Sequence, residues 1–138
     1  MAIWLLKTEP SVYSYDDLVR DGETMWDGVT NNAALCNIRK MQTGDLAVIY
    51  HTGDERAAVG IAEVSRGAYV NPDYANPKLA VCNVRAKSRL NRSVTLAEFK
   101  AHPQLQDWDL VRQARLSVVP LNDEQWKILC QLADGVKA

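Results

Sequence analysis

Leu46-Ala47-Val48-Ile49-Tyr50-His51-Thr52-Gly53-Asp54-Glu55-Arg56-Ala57-Ala58-Val59-Gly60-Ile61-Ala62-Glu63-Val64 is the clearest hairpin in the chain. Thr43-Gly44-Asp45 turns the backbone into the apolar run Leu46 to Tyr50, a strand that delivers His51. Asp54-Glu55-Arg56 makes a polar turn, and Ala58 to Val64 returns as the neighbouring strand. Upstream, Ile3 to Lys7 reads as a buried first strand closed by Pro10, which biases Glu9 towards extended geometry. Ser14 and Asp17 form a variant capping box for a short helix with Tyr15, Leu18 and Val19 on one face, ended by Asp21-Gly22. Asn32 is placed to cap a second helix with an apolar stripe of Ala34, Leu35, Ile38 and Met41.

Downstream of the hairpin, residues 67–78 are rich in Gly, Pro, Asn, Asp and Tyr and read as a long ordered loop. Leu79 to Lys87 alternates weakly as a strand. Thr95 and Glu98 box a short helix that ends before Pro103, Arg115 to Pro120 reads as a last strand, and Asn122 and Gln125 cap a final helix. About six short strands with interspersed helices predict an α+β fold, a mixed β-barrel closed so that its edges are hidden, with flanking short helices. With 138 residues, no repeat and no linker, a single domain over 1–138 is expected.

Composition narrows the function. Sixteen basic against seventeen acidic residues give a net charge of −1, which argues against a protein that grips long duplexes by their phosphates. A local basic run, Arg85, Lys87, Arg89 and Arg92, reads either as a basic face or as a solvated strand edge. Cys36, Cys82 and Cys130 are scattered, as in a reducing cytosol, and with His51 and His102 they make no metal-ligand spacing. No apolar run approaches the roughly 20 residues that span a bilayer. A soluble, cytoplasmic protein with no metal, no cofactor and no membrane partner is expected; its protein partners are not legible.

The chemistry concentrates at Met25-Trp26-Asp27-Gly28-Val29-Thr30-Asn31-Asn32, with Tyr50-His51-Thr52 as a partner segment. An Asp-Gly turn needs no large aromatic before it. Trp26 therefore reads either as a core residue ending a short strand, or as a plane on which a flat, polar-edged ligand such as a nucleobase stacks. The stretch runs into a helix N-terminus, where unpaired N–H groups are open to a ligand. Lys7-Thr8-Glu9 end the first strand and lie either at a pocket mouth or in a rim salt bridge. Glu9, Asp27 and His51 could also converge for proton transfer, which would make the protein an enzyme acting on a modified nucleoside. A protein-interaction module with a small-molecule pocket is the third reading.

Trp4-Leu5-Leu6-Lys7-Thr8-Glu9-Pro10, Trp26-Asp27-Gly28-Val29-Thr30-Asn31, Tyr50-His51-Thr52, Gly60-Ile61-Ala62-Glu63-Val64 and Arg112-Gln113-Ala114-Arg115-Leu116-Ser117 resemble, in order and spacing, the blocks of the EVE domain family. The resemblance covers nearly the whole chain. It implies a PUA-like fold related to the YTH domains, and binding without catalysis of a modified base, 5-methylcytosine or a related mark, flipped out of DNA or RNA. Carried over, the family's pocket falls on Lys7, Thr8, Glu9, Trp26, Asp27, Gly28, Val29, Asn31, Tyr50 and His51. Trp26 would stack the base, Thr8, Asp27 and Asn31 would read its edge, and Lys7 would lie near a phosphate. Arg112 and Gln113 are further candidates for a phosphate contact; Arg115 reads as structural. This chain departs from the family at Thr30, commonly Arg, and at Leu79, commonly Trp in Asp-Pro-Lys-Trp where Asn76-Pro77-Lys78-Leu79 stands here. The second aromatic wall is then expected from Tyr69 or Tyr74.

Overall fold

The computed structural model describes residues 2–73, 75–76 and 78–135. Its strands are β1 (Ile3–Thr8), β2 (Glu23–Trp26), β3 (Leu46–His51), β4 (Ala57–Val70), β5 (Ala80–Thr95) and β6 (Val118–Leu121), in one mixed sheet ordered β2-β5-β4-β3-β1-β6. The helices are α1 (Tyr15–Asp21), α2 (Asn32–Arg39), α3 (Leu96–Ala101), α4 (Asp109–Arg112) and α5 (Asp123–Leu132), with a 3-10 turn over Pro103–Leu105. The α+β class and the six strands are as expected.

β1 and β3 run parallel, from Ile3 beside Leu46 to Thr8 beside His51; the remaining strand pairs are antiparallel. Parallel neighbours need a crossover, made here by α1, β2 and α2. Every residue of β3 is buried, as its unbroken apolar run requires of a strand between two others. Asp45, just ahead of it, is a buried carboxylate that accepts from the Ala2 and Gln42 amides and the Trp4 indole at 2.9–3.1 Å. A buried charge is tolerable only with such donors. Gly60 of β4 lies under the Tyr15 ring, and a Cβ there would collide with it.

The sheet does not close into a barrel. β2 and β6 are its two edges, and they do not pair with each other. The reason lies in β6, which has no N–H at Pro120 and whose carbonyls are taken by side chains. Asn37 of α2 donates to Val118 O at 2.7 Å, and the Trp108 indole donates to Pro120 O at 3.0 Å. A prolyl position and two side-chain caps leave little of that edge for another strand. α2 instead packs against both β6 and β5 and fills the seam with Ala34, Leu35 and Ile38.

Other boundaries also shift. Asn31, not Asn32, caps α2, because its Oδ1 reaches both the Ala33 and Ala34 amides. Val19 is half exposed and does not share the buried face of Tyr15 and Leu18. Residues 67–78 are not all loop: β4 runs on to Val70, held by Tyr69, whose hydroxyl donates to Asn83 and whose ring carries Arg66. β5 begins at Ala80 and continues past Lys87 to Thr95, and the last strand starts at Val118 rather than Arg115. The basic run on β5 is solvated and neutralised: Arg85 and Lys87 meet Glu63, Arg89 meets Asp16, and Arg92 meets Glu98.

Asn37→Ala should lower the unfolding free energy by about 1–3 kcal/mol, the cost of leaving a mostly buried acceptor unpaired. Urea titration would show a lower midpoint at unchanged slope; an unchanged midpoint would mean that Asn37 does not hold the seam.

Candidate functional site

A cleft of about 500 Å³ opens at this seam. Lys7 and Thr8 enter it from the end of β1, Thr24, Met25 and Trp26 from β2, and Ser117 from the approach to β6. Val12 and Tyr13, ahead of α1, and the connection Asp27–Asn31 complete the lining. Three strands separate β1 from β2 in the sheet, so only its strong curl brings them to one cavity.

Trp26 is only 7% exposed, so most of its ring is core and a narrow strip reaches the cleft. Trp26 is thus a core residue that also lines the cleft. Its aromatic partner is Tyr13, with ring centroids 6.4 Å apart and planes at 83°. The two rings form a corner, not two parallel walls. Tyr69 is bound to Asn83 and Arg66, Leu79 packs on the core outside the lining, and Tyr74 and Pro77 fall outside the described residues.

Tyr13 owes its place to residues expected to touch a ligand directly. The Thr8 hydroxyl donates to Tyr13 O at 2.6 Å, and Glu9 O accepts the Val12 and Tyr13 amides, each at 2.9 Å. His51 is buried; its Nε2 accepts the Tyr15 amide at 3.0 Å, so its Nδ1 carries the proton and donates to Glu55. Neither Glu9 nor His51 lines the cleft. Glu9 turns its carboxylate to Ser11 and to the Thr52 hydroxyl. Of the three residues considered for proton transfer, Asp27 alone is in the lining.

Gly28 has φ of 78°, a conformation that costs a side chain dearly, which explains the Asp-Gly pair. Asn31 uses its Oδ1 to cap α2, so what it can offer a ligand is the Nδ2 donor. Lys7 is half-buried, donates to Ala114 O at 2.9 Å and lies 5.8 Å from the centre of the Tyr50 ring. Desolvation holds its ammonium below the ordinary lysine pKa. Tyr50 lies on the far side of Lys7, in a separate hollow. Gln113 and Arg115 line a small groove that shares Asn31 with the main cleft, while Arg112 lines neither.

Sequence reasoning missed Val12, Tyr13, Thr24 and Ser117 as lining residues, and it named Met25 and Thr30 only as part of the Trp26 stretch. Val12 is 80% and Met25 37% exposed, and apolar side chains left in water at a cleft rim are the signal of a binding surface. That signal appears only once the fold is known.

The EVE domain family model matches residues 2–132. A protein from Rhodopseudomonas palustris is 39% identical, with a TM-score of 0.93 over 100% of this chain and 97% of its own. Human THYN1, solved in complex with 5-methylcytosine-containing DNA, is 28% identical, with a TM-score of 0.89 over 99% of this chain and 100% of its own. In sequence, thymocyte nuclear protein 1 from Homo sapiens is 28% identical over 165 residues, 95% of this chain and 73% of that protein. With a match that runs from the start of β1 to the end of α5, the chain belongs to the EVE domain family and has its PUA-like α+β fold.

Proposed function

We propose that this protein, as one EVE domain over 1–138, reads a modified nucleobase, 5-methylcytosine or a close relative, within a DNA or RNA strand, and releases it unchanged. The observation that carries this reading is the seam cleft, in which an aromatic corner stands beside apolar rims and a few separated polar groups. That combination suits a flat ring with a polar edge better than it suits a peptide or a sugar. The likeness to human THYN1 in its complex with 5-methylcytosine-containing DNA supports the choice of ligand.

The base packs into the corner, stacked on one ring and edge-on to the other. The Asp27 carboxylate accepts from the exocyclic amine of cytosine, as acidic side chains do with that group. Lys7 and the Asn31 Nδ2 supply donors to the base's acceptors or to a neighbouring phosphate, and Gln113 and Arg115 extend the track. Val12, Met25 and Val29 offer a lining for a methyl group. Burying one methyl is worth about 0.8 kcal/mol. That alone gives a preference of about fourfold over cytosine. Stacking returns about 1–3 kcal/mol per base, so an unpaired base is taken more readily than one that must first be flipped.

The test is a titration with matched oligonucleotides carrying cytosine or 5-methylcytosine, recovered afterwards for mass analysis. The methylated strand should bind about fourfold more tightly or better and return intact. Tyr13→Ala should weaken binding by the 5- to 150-fold that corresponds to about 1–3 kcal/mol of lost stacking. Trp26→Phe is preferable to Trp26→Ala, since emptying a buried Trp site costs about 3–5 kcal/mol of stability. Equal binding to both strands would end the reader hypothesis for this mark, and an altered strand would point to an enzyme.

Lys7 gives a second check. Its folded pKa lies below the unfolded 10.5, so between those two values the unfolded chain holds more protons and stability rises with pH. Below that window the folded protein bears the whole cost of a half-desolvated ammonium. Lys7→Met should therefore melt at the same or a higher temperature at pH 7 while binding oligonucleotide more weakly. A lower melting temperature with intact binding would make Lys7 structural.

A further inference from the structure

On its other side Lys7 lines a hollow of about 320 Å³, together with Tyr50, Arg56, Lys100, Leu96 and Leu110. None of the residues lining it is acidic. This is unlike α1 and the β5 ribbon. Arg20, Arg85, Lys87, Arg89 and Arg92 each have a carboxylate within 4.0 Å. Among the described residues none reaches Lys7, Arg56 or Lys100. The two carboxylates placed close by are engaged elsewhere: Glu9 with Ser11 and Thr52, Glu55 with His51.

Arg56 adds an independent observation. Its φ is 46°, left-handed backbone that only one other non-glycine, Asp134, adopts among the described residues. At a hairpin turn Gly or Asn would take that conformation more cheaply. Here the position carries a guanidinium instead, anchored by its Nε donating to Gly53 O at 3.1 Å. A strained residue beside a cavity is a pointer to function when its side chain has a use there. The remaining donors of Arg56, with Lys7 and Lys100, make a concentration of positive charge with an apolar floor in a protein of net charge −1.

We propose that Lys7, Arg56 and Lys100 form a phosphate subsite that takes the phosphodiester next to the base held in the seam cleft. The idea rests on the nucleobase reading for its ligand, and Lys7 is the hinge between the two sites, since it lines both. A strand whose base enters the cleft would pass over Lys7 and lay its neighbouring phosphate in the hollow. Phosphate contacts of this kind set position and affinity but carry no sequence information.

The experiment compares wild type with Arg56→Gln, Lys100→Gln and the double variant, and with Lys127→Gln on α5 as a charge-matched control. Binding of a short single-stranded oligonucleotide, with cytosine or 5-methylcytosine at its centre, is followed from about 50 to 200 mM salt. The double variant should flatten the plot of log affinity against log salt by about 1.4, two contacts at about 0.7 each on a single strand. Its loss of affinity should be equal for both oligonucleotides, so that the preference for the methylated base survives. Lys100 is on the exposed face of a helix, so its single variant stays folded and should give half the effect. An unchanged slope in a folded double variant would overturn the proposal. Inorganic phosphate is titrated in parallel, with the backbone amides of Gly53, Arg56 and Lys100 observed by NMR. If wild type binds no oligonucleotide, yet phosphate shifts these amides in wild type and not in the double variant, the anion site stands and the nucleobase reading falls. If neither probe binds, both fall.

Discussion

Everything that makes a site possible here follows from one unmade strand pairing. The sheet has the curl and the strand number of a small barrel, but β6 cannot accept β2. Pro120 has no N–H to give, and the outward carbonyls of Val118 and Pro120 are already satisfied by Asn37 and Trp108. A buried acceptor that has found a donor gains little by exchanging it for another. The seam is therefore a stable feature, and α2 seals its lower part with apolar side chains. Above the helix the seam stays open as the cleft. The parallel pairing of β1 with β3 then decides what stands there. It sets Lys7 beside Tyr50 and Thr8 beside His51, so that four chemically active side chains arrive at one end of two adjacent strands.

Those four do not all face a ligand. Thr8 and His51, with the backbone of Glu9, hold the segment that carries Tyr13, by bonds of 2.6–3.0 Å that fix its carbonyl, its amide and the amide of Tyr15. Fixing these groups in the free protein lowers the ordering cost of binding, which otherwise consumes much of an interaction's worth. The same economy explains Asn31. By capping α2 with its carbonyl oxygen it locks its own amide group at the cleft wall. Motif residues can thus matter to a site without touching what enters it.

Local features of the fold were readable from the chain because their causes are local. The capping boxes at Ser14, Thr95 and Asn122 formed as expected, since each needs only two side chains three residues apart. The β3–β4 hairpin was likewise plain from its apolar runs and polar turn. Closure was misjudged because it turns on Asn37 and Trp108 meeting β6 across 81 and 12 residues, contacts that no periodic pattern encodes. The site was legible in part. Seven of the ten residues carried over from the family resemblance line the seam cleft, but the aromatic partner of Trp26 was sought at Tyr69 or Tyr74. Tyr13 escaped notice because it precedes a helix cap and belongs to no periodic face; only the tertiary fold sets it against Trp26.

The distribution of charge completes the argument. A near-neutral chain could spend all its cations on carboxylates, and on the β5 ribbon it does so with Arg85, Lys87, Arg89 and Arg92. Exposed pairs of that kind contribute little stability, and they cancel long-range attraction. Around the seam the opposite choice is made. Lys7 is half desolvated with no carboxylate partner among the described residues, and Arg56 sits on left-handed backbone. Both are costs to the free protein, and a bound anion would offset the desolvation of Lys7. Costs gathered at one end of a fold are what giving up stability for binding would produce. On the proposed reading they also limit how the protein would bind: a few cations over one corner can fix a single nucleotide step, and a chain of net charge −1 offers little to long stretches of nucleic acid.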